Sequence, residues 1–278
     1  MPDKPAPLPP IPSVTTITDV VEAIESIIGW SIGASSRLGY FAALYKRITI
    51  AVRTAVAQGA FQDGPRMERF DVAFASRYFN ALNGYFHPGK FAKPTRSWRM
   101  TFDAASRAEP IILQHMLAGV NVHIGLDLGI AAQSISAGGK LPTLHQDFNR
   151  INALLASQVK AVVADIDELS PVLADVYAVL TGNEIFLISE MLTALRDSAW
   201  RLATVLALEP GFLRPMTIWA RDREVAIEVE AIYDMPAVVG PIHSIAAAIA
   251  ARESRDIVKN IRVLDSIASK PAPIRLTM

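Results

Sequence analysis

Residues 110–135 read P-I-I-L-Q-H-M-L-A-G-V-N-V-H-I-G-L-D-L-G-I-A-A-Q-S-I. Between Glu109 and Lys140 the one formally charged residue is Asp127. Wound as a helix, this stretch is apolar on every side, the mark of a helix buried at the centre of a bundle. Gly119, Gly125 and Gly129 would let neighbouring helices come close. A lone ionised group in such a place costs several kcal/mol, so Asp127 must be paired, metal-bound or protonated.

The chain around this helix is cut into lengths by proline. Ten internal prolines, from Pro65 to Pro241, break helical patterns or start new ones. Apolar periodicity places helices at 18–31, 36–59, 66–84, 95–107, 110–135, 143–166, 171–180, 184–208, 215–233 and 241–268. Asp63, Thr95, Ser170 and Asn183 stand where N-caps belong. Strand and hairpin signals are poor, because Asn83-Gly84 and Asp63-Gly64 join helical patterns. The predicted fold is all-α: a single-domain bundle of about ten helices around one buried central helix, about 110–135. Residues 1–13 hold six prolines and are expected to be a disordered tail. The helical domain would span 14–269, and 270–278 a C-terminal tail.

Composition narrows the function. Of the 278 residues 51% are hydrophobic and 19% charged, enough to bury a sizeable core. Lys plus Arg equals Asp plus Glu at 27 each, so the chain as a whole has no electrostatic pull towards nucleic acid or an anionic membrane. Cysteine is absent, which excludes disulfides, thiolate metal sites and cysteine nucleophiles. The uncharged stretches 110–126 and 235–251 carry polar groups or breakers and barely reach the ~17 residues of a short spanning helix. No transmembrane segment and no secretory leader are expected, and the chain reads as cytoplasmic. The apolar segment 241–251 suits an interface as well as a core, which leaves a homodimer open.

The chemistry concentrates on the central helix. His123 and Asp127 sit four apart and face the same way. That pair suits two ligands of one metal ion, or a base and the carboxylate that orients it. It equally suits a satisfied polar pair that locks helices together. His115, two turns earlier, would border the same cavity, whereas Asn121 points nearly opposite. In L-H-Q-D-F-N-R-I-N, 144–152, Asp147 suits the first turn of its helix; an antiparallel hairpin could also bring it to Asp127 as a third metal ligand. Arg196 could neutralise Asp127 or clamp an anionic substrate, with Trp200 as a pocket wall; the alternative is an arginine stacked on a core tryptophan. The aromatics of helix 66–84 suit the core, and Arg77 and Tyr78 are its candidates for further substrate contacts. Glycine-rich phosphate loops, the G-x-S-x-G elbow and H-E-x-x-H are all missing.

Two resemblances follow from these residues. The core Gly119-x-Asn121-x-His123-Ile124-x-x-Asp127-Leu128 resembles a bacterial and fungal family classed as a domain of unknown function (DUF 5995). It is accompanied by Phe74 to Phe79, Trp98-x-x-x-Phe102 and Arg196-x-x-x-Trp200. That likeness spans roughly residues 40–210 and implies no particular biochemistry. Gly119-x-x-x-His123-x-x-x-Asp127 also looks like the metal helix of zinc-dependent phospholipase C. Five histidines fit a single divalent ion, zinc or magnesium, or no metal at all, better than a cluster.

The leading expectation is an enzyme with a buried apolar pocket centred on His123 and Asp127. It would carry out metal-assisted hydrolysis of an ester or phosphoester of an apolar or lipid-like small molecule. The metal would be held by His123, Asp127 and Asp147, with Arg196 beside the reaction and Asn121, His115, Tyr78, Arg77 and Trp200 against the substrate. The alternatives are a metal-free acid–base enzyme of cyclase or isomerase type in small-molecule biosynthesis, and a non-catalytic binding protein for an apolar ligand.

Overall fold

The computed structural model describes residues 5–136, 139–169, 184–234 and 249–270. Among these the fold is all-helical, with one isolated bridge, Pro88 to Phe91, and no strand. The elements are α1 (Ile17–Gly33), α2 (Leu38–Ala57), α3 (Gly64–Phe86), α4 (Arg96–Ala104) and α5 (Ile112–Val122). Then follow a π-helical turn (His123–Leu128), α6 (Gly129–Ile135), α7 (Leu141–Leu169), α8 (Glu184–Leu208), α9 (Arg214–Tyr233) and α10 (Ile257–Ala268).

The helix ends follow local chemistry. Thr16 and Asp19 close a capping box on α1. The Asp63 side chain accepts the Arg66 N–H, with Pro65 in the first turn of α3. Thr95 caps α4, and Asp222 accepts the Arg96 and Ser97 N–H groups at 2.8 and 3.0 Å.

The central element is the one expected. α5, the π turn and α6 form one nearly continuous rod, and every residue from Asn121 to Ala132 is buried. α2, α3, α4, α7, α8 and α9 surround it, and α1 and α10 pack outside α2. Gly129 is where α8 comes closest: a Cβ there would stand 2.5 Å from the Ala199 carbonyl oxygen.

Two apolar clusters meet along the rod. One holds α1, α4 and most of α5 with Phe41, Tyr78 and Trp98. The other holds α6 and α7 with Phe70, Phe148 and Ala199. Phe74 and Val120 pack against both, so the π turn lies at the seam.

Three expectations need correction or bounding. Residues 5–13 are no loose tail. Leu8, Ile11 and Val14 are buried, every third residue, which is the period of a polyproline II helix laid on a surface. The Asn83 amide grips Ile11 from both sides, accepting its N–H at 2.8 Å and donating to its carbonyl at 2.9 Å. Trp30 Nε1 donates to the Ala6 carbonyl, and His87 Nε2 lies 2.7 Å from the Leu8 carbonyl. Prolines lower the entropy lost on docking, so three buried aliphatics and these bonds suffice to hold the strap.

The predicted helix 241–268 is interrupted. The chain turns at 253–256, where Glu253 accepts the Ile112 N–H and Asp256 caps α10. The predicted helix 171–180, the caps at Ser170 and Asn183, residues 235–248 and the tail from 271 lie outside the described residues.

Candidate functional site

The π turn carries the polar centre. Its wider winding keeps His123 and Asp127 in register, with His123 Nδ1 3.2 Å from Asp127 Oδ2. Asp127 is paired, as its burial demanded. Arg77 Nε donates to Oδ1 at 2.9 Å, and Trp98 Nε1 donates to Oδ2 at 2.8 Å. The Arg77 side chain is 33% exposed, so it links the buried carboxylate to solvent.

The protonation states follow from these contacts. Burial alone would raise the Asp127 pKa, but the Arg77 charge and the bond from His123 outweigh it and hold the carboxyl below its ordinary value. Burial, acting against the Asp127 bond and charge, holds His123 below the ordinary histidine value. His123 is therefore neutral at pH 7. The ionised carboxylate offers only lone pairs, so the imidazole proton sits on Nδ1 and Nε2 is left as an acceptor. That Nε2 is buried and has no hydrogen-bond partner among the described residues.

Aromatic rings close around it. Phe74 stacks on the imidazole at 3.6 Å between centroids and 10° between planes. Tyr45 stands edge-on at 4.8 Å, and Phe41, Tyr78 and Trp98 complete the box at about 6 Å. Phe74 is only partly buried, whereas His123 beneath its stacked ring is buried. The wide turn also alters the backbone at Gly125, whose carbonyl accepts from Arg221 Nε at 3.0 Å. π turns of this kind recur at functional sites.

The other predicted site residues scatter. Asp147 is the seventh residue of α7 rather than part of its first turn, because the helix starts at Leu141. It anchors the α2–α3 turn: it accepts the Gln62 and Asp63 N–H groups at 2.8 and 3.0 Å and pairs with Arg66 and Arg150. It shares no partner with Asp127, and among the described residues no three His, Asp or Glu side chains converge to hold a metal ion.

Arg196 does not neutralise Asp127. It bonds Asn152 and the Phe148 carbonyl and lies over the Phe148 ring, not over Trp200. Burial draws it down to about 9. Trp200 packs against His145 and Phe148. Asn121 is buried, its Nδ2 without a partner among the described residues.

His115 turns to Tyr233, whose hydroxyl lies 3.4 Å from its Nδ1, and burial lowers its pKa to about 3. It lines a cavity of about 10 Å³ with Phe41, Tyr78 and Trp98. A larger cavity of about 170 Å³ lies by Arg37, Tyr40, Glu253 and Arg255. His123 and Asp127 line neither.

Sequence reasoning missed Trp98 as a donor to Asp127, and Phe74 and Tyr45 as walls. The demand for a donor to a buried carboxylate was the signal, and Trp98 stood in plain view in W-x-x-x-F.

Fold and site together define an all-α bundle with a buried, arginine-backed His–Asp pair on a π-helical turn. The chain belongs to the family of unknown function DUF5995, whose model matches residues 17–235. No curated protein and no solved structure matches it. No helix among the described residues is long and apolar enough to cross a membrane.

Proposed function

We propose that the protein is an acid–base enzyme acting on an apolar small molecule, with His123 as the proton-transfer group. The observation that carries this reading is the unpartnered, unprotonated Nε2 of a histidine whose other nitrogen is fixed by a buried carboxylate. Asp127 sets the tautomer and would stabilise the imidazolium as His123 takes a proton. The aromatic box supplies an apolar wall, and swinging Phe74 aside would open it. The partly exposed Arg77 gives an anionic substituent a place to bind.

The donor set favours proton transfer over a bound metal. Both Asp127 oxygens already accept from protein donors, and a cation there would sit against the Arg77 guanidinium. The substrate class is therefore a small apolar molecule undergoing cyclisation, isomerisation or a related proton shift.

The test incubates the parent and His123→Gln with a small-molecule extract and follows every species by mass spectrometry. Turnover by the parent, lowered about a hundredfold or more in a folded His123→Gln, is expected. Equal turnover by the variant, or none by the parent, overturns the reading. Elemental analysis of protein purified without chelator separates the metal alternative: stoichiometric metal that His123→Ala loses would refute metal-free chemistry.

A further inference from the structure

Where α2, α3 and the π turn pack together, three buried polar atoms have no hydrogen-bond partner among the described residues: His123 Nε2, the Tyr45 hydroxyl and Asp71 Oδ2. His123 is 2% exposed, Tyr45 5% and Asp71 8%. Buried polar groups are nearly always hydrogen-bonded, and each exception costs stability. Three exceptions on the elements around one imidazole ask for a ligand that supplies the missing partners.

Ring geometry and helix register place them. The centroid distances Phe74–His123, 3.6 Å, Tyr45–His123, 4.8 Å, and Tyr45–Phe74, 6.1 Å, make nearly a right angle at His123. Phe74 therefore lies on the face of the imidazole and Tyr45 at its rim. α2 and α3 run antiparallel, pairing Phe41 with Tyr78 and Tyr45 with Phe74. The same register brings Asp71 level with Thr49, one turn on from Tyr45. The two nitrogens of an imidazole diverge widely, so Nε2 turns away from Asp127 and its partner Arg77. Arg77 is three residues after Phe74 on α3, and Asp71 is three residues before it.

The three atoms have complementary roles. Nε2 carries no proton and accepts. Burial, then the charges of Asp71 and Asp127, hold the Tyr45 pKa well above the ordinary tyrosine value, so its hydroxyl keeps its hydrogen and donates. Burial, with the charge of Glu68, pushes the Asp71 carboxyl up to about 7, so below neutral pH it too keeps a proton to donate. One acceptor and two donors suit a molecule that gives up a proton while charge grows on an oxygen nearby.

We propose that the substrate is a carbonyl compound with an acidic C–H beside the carbonyl, held by its oxygen between Tyr45 and Asp71. This deepens the reading of His123 as the base and rests on it. Nε2 takes the proton, the C–H electron pair becomes a C=C bond, and the carbonyl pair moves onto oxygen, where the two donors meet it. His123 then returns the same proton to another carbon of the enolate, and the oxygen pair falls back to re-form the carbonyl. The net change is an isomerisation, with no oxidant, reductant or second substrate.

Binding of 4-nitrophenol to the full chain tests the oxygen site apart from turnover. Its ring is planar and apolar, and its phenolate oxygen stands in for the enolate oxygen. Equilibrium dialysis read by absorbance gives the affinity, and circular dichroism checks each variant's fold. The parent should bind the probe. Tyr45→Phe, which keeps the ring, and Asp71→Leu, which removes a carboxyl that burial penalises, should each weaken binding roughly tenfold or more. Asp71→Asn, whose amide still donates, should stay within about threefold of the parent. No binding by the parent, or binding that Tyr45→Phe or Asp71→Leu keeps, overturns the proposal. The two readings fail separately. Phenolate bound through Tyr45 and Asp71 by a protein that turns nothing over would retain the oxygen site and refute the base. Turnover lost in His123→Gln but kept in Tyr45→Phe would retain the base and refute the oxygen site.

Discussion

Asp127→Asn keeps the shape of the side chain and removes its charge. The parent carboxylate accepts from Arg77 Nε, Trp98 Nε1 and His123 Nδ1. An amide offers one acceptor oxygen and an NH2 group, so one of those donors must face another donor. An unsatisfied buried donor costs ~1–3 kcal/mol, and breaking a buried ion pair from one side costs ~3–5 kcal/mol. Arg77 is 33% exposed, so water recovers part of its lost partner. The expected loss is about 3 kcal/mol, a large share of a domain stability of ~5–15 kcal/mol.

Urea unfolding at pH 7, followed by tryptophan fluorescence, measures it, with circular dichroism to show that the fold persists. The pH dependence has a definite sign. The Asp127 pKa is lower in the native state than in the unfolded chain, so its contribution is complete above the ordinary carboxylate value and is lost as pH falls through the native value. The gap between parent and variant should hold steady from neutral pH down to mild acid and close below that. A gap under about 1 kcal/mol at pH 7, or one that widens on acidification, would refute the view that Asp127 balances a buried charge network.

The remaining predictions concern other parts of the molecule. Burial, aided by the charge of Glu68, pushes the Asp71 carboxyl up to about 7, so the native state holds its proton longer than the unfolded chain does. Its penalty grows as pH rises from the ordinary carboxylate value to about 7, and Asp71→Asn should stabilise by about 3 kcal/mol at pH 8 and by little at pH 4 in thermal unfolding. Gly129→Ala sets a Cβ 2.5 Å from the backbone oxygen of Ala199, which cannot rotate away, and should cost about 2 kcal/mol in urea. Asn83→Ala removes both bonds to Ile11; amide exchange at Ile11 should speed up and stability fall by about 2 kcal/mol. Phe74→Ala lifts the ring stacked on His123, so diethylpyrocarbonate should modify His123 faster than in the parent; an unchanged rate would mean that Phe74 is not its cover.

The central helix was legible because a carboxylate isolated in apolar sequence constrains its surroundings. Asp127 announced a buried helix and left three states open, paired, metal-bound or protonated; the helix is buried, and Asp127 is paired with Arg77. The partner itself was harder to read. Arg196 and Arg77 both lay on helices expected near the core, and which guanidinium arrives depends on how helices rotate about their axes. Spacing does not set that rotation; packing against Phe148 took Arg196, and the α3 face took Arg77. The π turn was invisible for a related reason, since one extra residue per turn leaves an apolar pattern unchanged when every side is buried. The strap was misread because proline suggests disorder until a binding surface is known; the period of three in Leu8, Ile11 and Val14 was the signal available. Asp147 was expected at Asp127 through a hairpin argument, but the α2–α3 turn, 85 residues upstream, supplied two backbone N–H groups that a carboxylate at the metal position would have had to forgo.

The way α2 is held has a consequence for the order in which the protein is made. Lys46 pairs with Asp265, 219 residues later, and Tyr40 accepts from Asn260, 220 residues later. α2 therefore leaves the ribosome early but is covered on that side only after α10 has been synthesised. At typical elongation rates of ~5–20 residues per second, its flank waits on the order of ten seconds or more for its partner. A nascent chain stopped short of α10 would show an uncovered apolar flank for quality-control factors to bind, and release of the last helix would act as the signal that the first ones are finished.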